Sequence, residues 1–126
     1  MPPGPQRTLH QNTEALQQSV LLNLRRIFNT RQGQVTALPD FGMPDLTELA
    51  HGFPDSVETV RQAIQQGIAK YEPRLQGARV RHVADDDDDS RILRFEITAR
   101  LAAADEQPGV RYESVVNPAG RVRVRG

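Results

Sequence analysis

The chain has 126 residues, which is room for one domain around one core. Sixteen basic residues balance sixteen acidic ones, so no bulk attraction to nucleic acid or membrane is expected, and the absence of cysteine excludes disulfides, thiolate metal sites and a Cys nucleophile. Only 37% of the residues are hydrophobic and 5% aromatic, which implies a lean aliphatic core that a partner surface can help to stabilise.

Residues 1–11 are rich in Pro, Gly and Gln and are expected to form a flexible tail, with residues 12–126 as a single domain. The N-terminus has no apolar signal core, and no apolar run approaches membrane-spanning length, so a soluble cytoplasmic protein without membrane insertion is expected. From Thr13 the pattern is helical. Leu16, Val20, Leu24 and Ile27 form one stripe, widened by Leu21 and Phe28, with Asn12 or Thr13 as cap and an end near Asn29. Residues 30–54 are irregular, with a short helix expected over Pro44–Ala50, opened by the proline and closed by Gly52. Asp55 and Glu58 resemble a capping box for a second long helix, along which Val57, Val60, Ile64, Ile68 and Tyr71 recur at helical spacing. Gly67 beside that stripe either permits close helix packing or simply weakens the helix.

That helix stops at Glu72-Pro73-Arg74. Pro73 is a sufficient terminator, yet it follows a carboxylate placed where the helix dipole disfavours one. In an extended segment positions two apart point the same way, so Glu72 and Arg74 present opposite charges on one side. The reading is of an exposed pair held ready for a partner, truncation of which would change the monomer by no more than about 0.5 kcal/mol.

Beyond Pro73 the period becomes two. Strands are expected at Val80–Val83, over residues 91–101, at Val110–Val116 and, after the turn residues NPAG, over Arg121–Arg125. Helices followed by antiparallel strands predict an α+β domain in which two main helices pack on one face of a sheet of three to four strands. Fifteen of the sixteen basic residues are Arg. Arg79, Arg81, Arg94, Arg100, Arg111, Arg121, Arg123 and Arg125 alternate with apolar neighbours, and only Glu96 and Glu113 answer them. This pattern marks the open sheet face as basic, with Arg121, Arg123 and Arg125 as candidate contacts for an acidic partner.

Chemistry-bearing patterns are scarce. Asp85, Asp87, Asp89 and Glu96 fall at positions one, three, five and twelve of a calcium loop, but Ser90 replaces the central glycine and two flanking helices are lacking, so Asp85–Asp89 is read as a solvated hairpin loop. His10, His51 and His82 have no metal-ligand spacing. No phosphate loop or nucleophile elbow occurs, and no cofactor is implied. No aromatic residues interleave with the arginines as stacking platforms for nucleic acid. A lysozyme-like peptidoglycan hydrolase would need a carboxylate pair across a sugar site, and nothing singles one out.

Three stretches together resemble the TssE proteins. FNTRQG at 28–33 resembles their Leu-Asn-Thr-Arg segment, FGMPDL at 41–46 their Tyr-Gly-Leu-Pro-Asp-Leu, and EPRL at 72–75 carries their Glu-Pro-Arg motif, in the same order and over about residues 16–101. TssE is the small baseplate wedge subunit of bacterial type VI secretion, related to a wedge protein of contractile phage tails long labelled a lysozyme. The resemblance implies a structural, non-enzymatic role in a cytoplasmic baseplate at the inner membrane. It implies TssF and TssG as partners, priming of the TssB–TssC sheath by strand exchange, and a part in assembly for Glu72, Pro73 and Arg74.

Overall fold

A computed structural model describes residues 9–44, 56–84, 92–102 and 107–126. The short helix expected at Pro44–Ala50, the Asp55 cap and the Asp85–Asp89 loop lie outside the described residues. Helix α1 spans Leu9–Phe28 and helix α2 spans Ser56–Tyr71. Strands β1 (Leu75–Val83), β2 (Leu93–Leu101), β3 (Gly109–Val116) and β4 (Val122–Arg125) form one antiparallel sheet in the order β1-β2-β3-β4. The α+β architecture is the expected one, with four strands.

Two boundaries differ from expectation. The first helix begins at Leu9, so Asn12 and Thr13 lie within it and do not cap it. Residues 9–12 contain neither Pro nor Gly, so no helix breaker stands between Leu9 and the expected start. Strand β1 begins at Leu75, five residues before Val80. Gly77, with φ of 62°, sits in a bulge between Gln76 and Arg79 that resets the alternation, so that Leu75 and Val80 both face inward at an odd spacing. A strict period of two misses that first half.

The core is aliphatic. Val20, Leu24 and Ile27 of α1 and Val60, Ile64 and Ile68 of α2 are fully buried against the inner face of the sheet, where Phe95, Ile97, Leu101 and Val116 are also inaccessible. Period 3.6 in the helices and period 2 in the strands thus supply the two halves of one core.

The segment after α1 is pinned to both helices. Thr30 hydroxyl donates to the Arg26 carbonyl at the helix end (2.6 Å), and the Thr30 carbonyl accepts from Met43 N–H (2.7 Å). This turns the chain back so that Phe41 and Met43 are buried. Phe41 meets Tyr71 of α2 edge-on at 4.8 Å, and the Arg26 guanidinium covers the Phe41 ring at 5.2 Å. A Cβ at Gly67 would lie 3.3 Å from Met43 Sδ and 3.4 Å from Ile27, so the glycine permits the close packing. Gly42 has φ of 110°, and a Cβ there would lie 2.2 Å from the Thr30 carbonyl oxygen. Backbone strain and a clash with main chain therefore coincide. Gly42→Ala is expected to destabilise the fold by about 2–3 kcal/mol in urea unfolding, whereas Gly33→Ala, at an open site with the same hand of φ, should lower stability by about 1 kcal/mol.

Candidate functional site

The Glu-Pro-Arg motif lies where α2 hands over to β1. Pro73 ends the helix, and Glu72 N–H makes its last turn by donating to the Ile68 carbonyl (2.9 Å). The Glu72 side chain then turns inward. It is 0% exposed, the only charged side chain among the buried described residues.

Its carboxylate is fully engaged. Arg74 Nε donates to Oε1 and Arg74 Nη2 to Oε2, both at 2.8 Å, in a bidentate grip. Arg74 N–H donates to Oε1 (3.1 Å), and Asn23 Nδ2 of α1 donates to Oε2 (2.8 Å). Asn23 also reaches the Tyr71 carbonyl (3.2 Å), and Arg74 Nη1 donates to Ser19 Oγ, one turn before Asn23 (2.7 Å). The Arg74 carbonyl accepts from Ala102 N–H at the end of β2 (2.8 Å). One carboxylate–guanidinium pair therefore joins α1, α2, β1 and the end of β2.

Burial pushes the Glu72 carboxyl upward, but the hydrogen bonds from Arg74 and Asn23 and the Arg74 charge outweigh it and hold the carboxyl below its ordinary value. The Glu72 bond in turn raises Arg74, and burial followed by the nearby Glu72 charge raises Tyr112.

Glu72 and Arg74 do converge on one side, as the extended backbone at Pro73 requires. The expectation that they form an exposed pair is overturned, since the carboxylate is satisfied within the chain. What the motif leaves at the surface is Pro73 and the third of Arg74 that remains accessible. Asn23 and Ser19 were not recognisable as its partners. Asn23 stands three residues from Val20 and four from Ile27, on the edge of the buried stripe, where an Asn has poor helix propensity and a polar partner is the one reason to keep it.

The open sheet face carries the arginines. In register across the sheet, Arg81, Glu96, Glu113 and Arg125 form one row, and Val83, Arg94, Val115 and Arg123 the next. Glu96 pairs with Arg81 (3.3 Å) and Arg111 (3.2 Å), and Glu113 with Arg94 and Arg125 (both 3.3 Å). The two glutamates oppose each other directly, an arrangement that the flanking arginines make tolerable. Seven arginines against two glutamates leave the face strongly basic on a chain of zero net charge. Arg123 and Arg125 point outward from β4, while Arg121 lies exposed in the turn before it, its N–H donating to Asn117 Oδ1 (2.9 Å). Arg121 is thus a neighbour of the row and not a member. Among the described residues no group of acidic, His or Cys side chains could hold a metal ion, and no helix is long and apolar enough to cross a membrane.

Comparison with known proteins adds identity to this geometry. Residues 14–106 match the family model described as baseplate wedge protein gp25. No protein of curated function matches. A chain of the baseplate complex from the type VI secretion system superposes with a TM-score of 0.67 at 24% identity, covering 85% of this chain and 98% of the other. A crystal structure described as a tail lysozyme from Geobacter sulfurreducens superposes with a TM-score of 0.60 at 16% identity, covering 77% and 87%. At these identities the two structures show a shared fold.

The Glu72 site yields two measurable consequences. Arg74→Ala leaves a buried carboxylate without its cation and should lower stability by about 3–5 kcal/mol; Glu72→Ala frees an Arg74 that can turn to water and should cost about 1–3 kcal/mol. Equal, near-zero changes in urea midpoints would contradict the internal clamp. Because the folded carboxyl lies below its unfolded value near 4.5, the unfolded chain takes up the proton first. Glu72 stabilises the fold fully above that value, and its contribution is lost as pH falls through the folded pKa, so Glu72→Gln should flatten the acid limb of a stability–pH curve below pH 4.5 and leave the neutral limb parallel to wild type.

Proposed function

The chain belongs to the baseplate wedge protein gp25 family, and we propose that it is a structural subunit of a type VI secretion baseplate, acting as TssE does. The single observation that carries this reading is the family match over residues 14–106, which contains all three of the motifs that tie the chain to TssE proteins. Each motif also serves the fold from within. Asn29 and Thr30 close α1, Phe41-Gly42-Met43 plugs the gap between the helices, and Glu72-Pro73-Arg74 joins the helices to the sheet.

In this reading the partners are TssF and TssG in the wedge and the TssB–TssC sheath above it, in a cytoplasmic assembly at the inner membrane. Pro73 and the accessible side of Arg74 contact a neighbouring subunit, with Glu72 fixing the guanidinium in place. Arg121, Arg123 and Arg125 meet an acidic surface. Opposite charge at such a face guides register and rejects wrong partners.

A hydrolase role is disfavoured by the site itself. A general acid needs a raised pKa and access to substrate, and Glu72 has a lowered one and no exposure. Purified protein should leave peptidoglycan intact in a zymogram.

The test of the structural role is co-purification of the tagged chain from cells expressing TssF and TssG. Wild type should recover both, and reversal of Arg121, Arg123 and Arg125 to Glu should give a folded protein that recovers them at least tenfold less well. Equal recovery by the triple variant would remove these arginines from the contact, and failure of wild type to recover either subunit would defeat the baseplate reading.

A further inference from the structure

The outer face of the sheet is divided by its own glutamates. Glu96 and Glu113 stand opposite each other and form ion pairs with Arg81, Arg94, Arg111 and Arg125. Beyond that row the sheet continues without β4, whose pairing ends where Arg125 meets Glu113. The outward rows there are Arg79, Thr98 and Arg111, then Gln76, Arg100 and Gly109. Neither row contains an acidic residue. Arg111 reaches back to Glu96 (3.2 Å), whereas Arg79 and Arg100 pair with no carboxylate among the described residues.

Thr98 is the centre of this end. Arg79 of β1 and Arg111 of β3 flank it directly, with Cβ atoms about 5 Å away, and Arg100 follows two residues on along the same face, about 7 Å away. The bulge in β1 draws the two unpaired cations to one side. Arg100 Nη2 lies 3.7 Å from the point where a Cβ on Gly77 would stand, so its guanidinium rests over β1 two residues before Arg79. On the other side of Arg100, Gly109 has open space above it. Arg79, Thr98 and Arg100 are all exposed, so a ligand reaches them without displacing an internal contact.

The chemistry of the cluster selects its ligand. Each glutamate on this face engages two arginines but neutralises only one charge, so a single carboxylate would leave Arg79 and Arg100 with a positive charge unanswered. Two free guanidiniums beside a hydroxyl suit an anion with two charges and three acceptor oxygens, which is a phosphate monoester. An anionic membrane fits less well, because a lipid surface laid over the whole face would press its charge on Glu96 and Glu113, whose side chains are 20% and 28% accessible. We propose that Arg79, Thr98 and Arg100, with Arg111 at the margin, form a binding site for the phosphate group of a soluble phosphomonoester. The site rests on the charge and placement of these four side chains. It stands apart from the baseplate role, whose Arg121, Arg123 and Arg125 lie toward the opposite end of the sheet.

The test titrates the full chain with glycerol phosphate at low, constant ionic strength and about pH 8, above the second phosphate ionisation near 6. Binding is read from NMR shifts of the backbone amides and arginine side chains, with acetate as the carboxylate control. Shifts should saturate at Arg79, Thr98 and Arg100, and acetate should bind at least tenfold more weakly. The Arg79→Ala, Arg100→Ala double variant should lose at least tenfold in affinity. Thr98→Val keeps every charge and suits a strand, and should lose about threefold with the hydroxyl's hydrogen bond. If the double alanine variant does not fold, Arg79→Lys with Arg100→Lys replaces it; it keeps the charge, loses the planar forks and should bind at least threefold more weakly than wild type. Equal binding by wild type and variants, or equal binding of acetate and glycerol phosphate, would reduce the cluster to diffuse attraction and overturn the site. Two further probes decide the source. A phosphoserine peptide should bind no more tightly than glycerol phosphate, and phosphatidylglycerol vesicles should not retain the chain; the reverse result in either arm would assign the cluster to a protein or a membrane and overturn the soluble ester. No baseplate subunit is present in this assay, so its failure is distinguishable from a failure to recover TssF and TssG.

Discussion

The carboxylate of Glu72 is the constraint on which the rest of this structure depends. A charge with no solvent access must be paired, and four donors from Arg74 and Asn23 meet it. Those donors come from α1 and from the first residue after the helix-stopping proline. The carboxylate therefore fixes the position of α1 relative to α2, and the direction in which the chain leaves α2. Since Leu75 begins β1 in register with Leu101, the same junction sets where the sheet starts. A lean aliphatic core does not by itself choose one relative placement of two helices, because apolar contacts are not directional. A planar guanidinium on a carboxylate is directional, and here it does the choosing.

The same division of labour recurs around the molecule. Apolar stripes bring elements together, and a few polar side chains determine how they sit. Asn29 and Arg25 tie the end of α1 to β4, Arg61 and Gln65 tie α2 to β1, and the Thr30 carbonyl holds the returning segment at Met43. Each helix thus lies along one edge of the sheet, and side chains from it or from its end reach that edge. An α+β layer of two helices on four strands would otherwise leave two open strand edges, and open edges invite unwanted pairing.

Much of this arrangement was legible in the sequence, and the boundary of legibility is physical. The stripes Val20–Leu24–Ile27 and Val60–Ile64–Ile68, and the alternation Leu93–Phe95–Ile97, identify the core residues because burial follows period. Strand β1 was half visible because the bulge at Gly77 breaks that period. The site was legible as a motif but not as a geometry. Glu72-Pro73-Arg74 announces a helix stop with paired charges, yet whether the pair faces water or the interior depends on Asn23 and Ser19, about fifty residues away in the chain. Nothing local in Asn23 or Asn29 reveals that one amide serves a buried carboxylate and the other a strand edge.

The arginines divide along the same line. Arg25, Arg61 and Arg74 donate to groups inside the domain, through bonds whose direction matters. Arg79, Arg81, Arg94, Arg100, Arg111, Arg123 and Arg125 spread over one face, where Arg81 and Arg111 pair with Glu96 and Arg94 and Arg125 with Glu113. If that face served only solubility, mixed charge would suffice and repulsion among the arginines would be an avoidable loss. Keeping the excess on the sheet face that neither α1 nor α2 covers concentrates positive potential there. The internal arginines hold the domain in shape, the external ones hold positive charge at its surface, and a guanidinium suits both places because it stays charged in either setting.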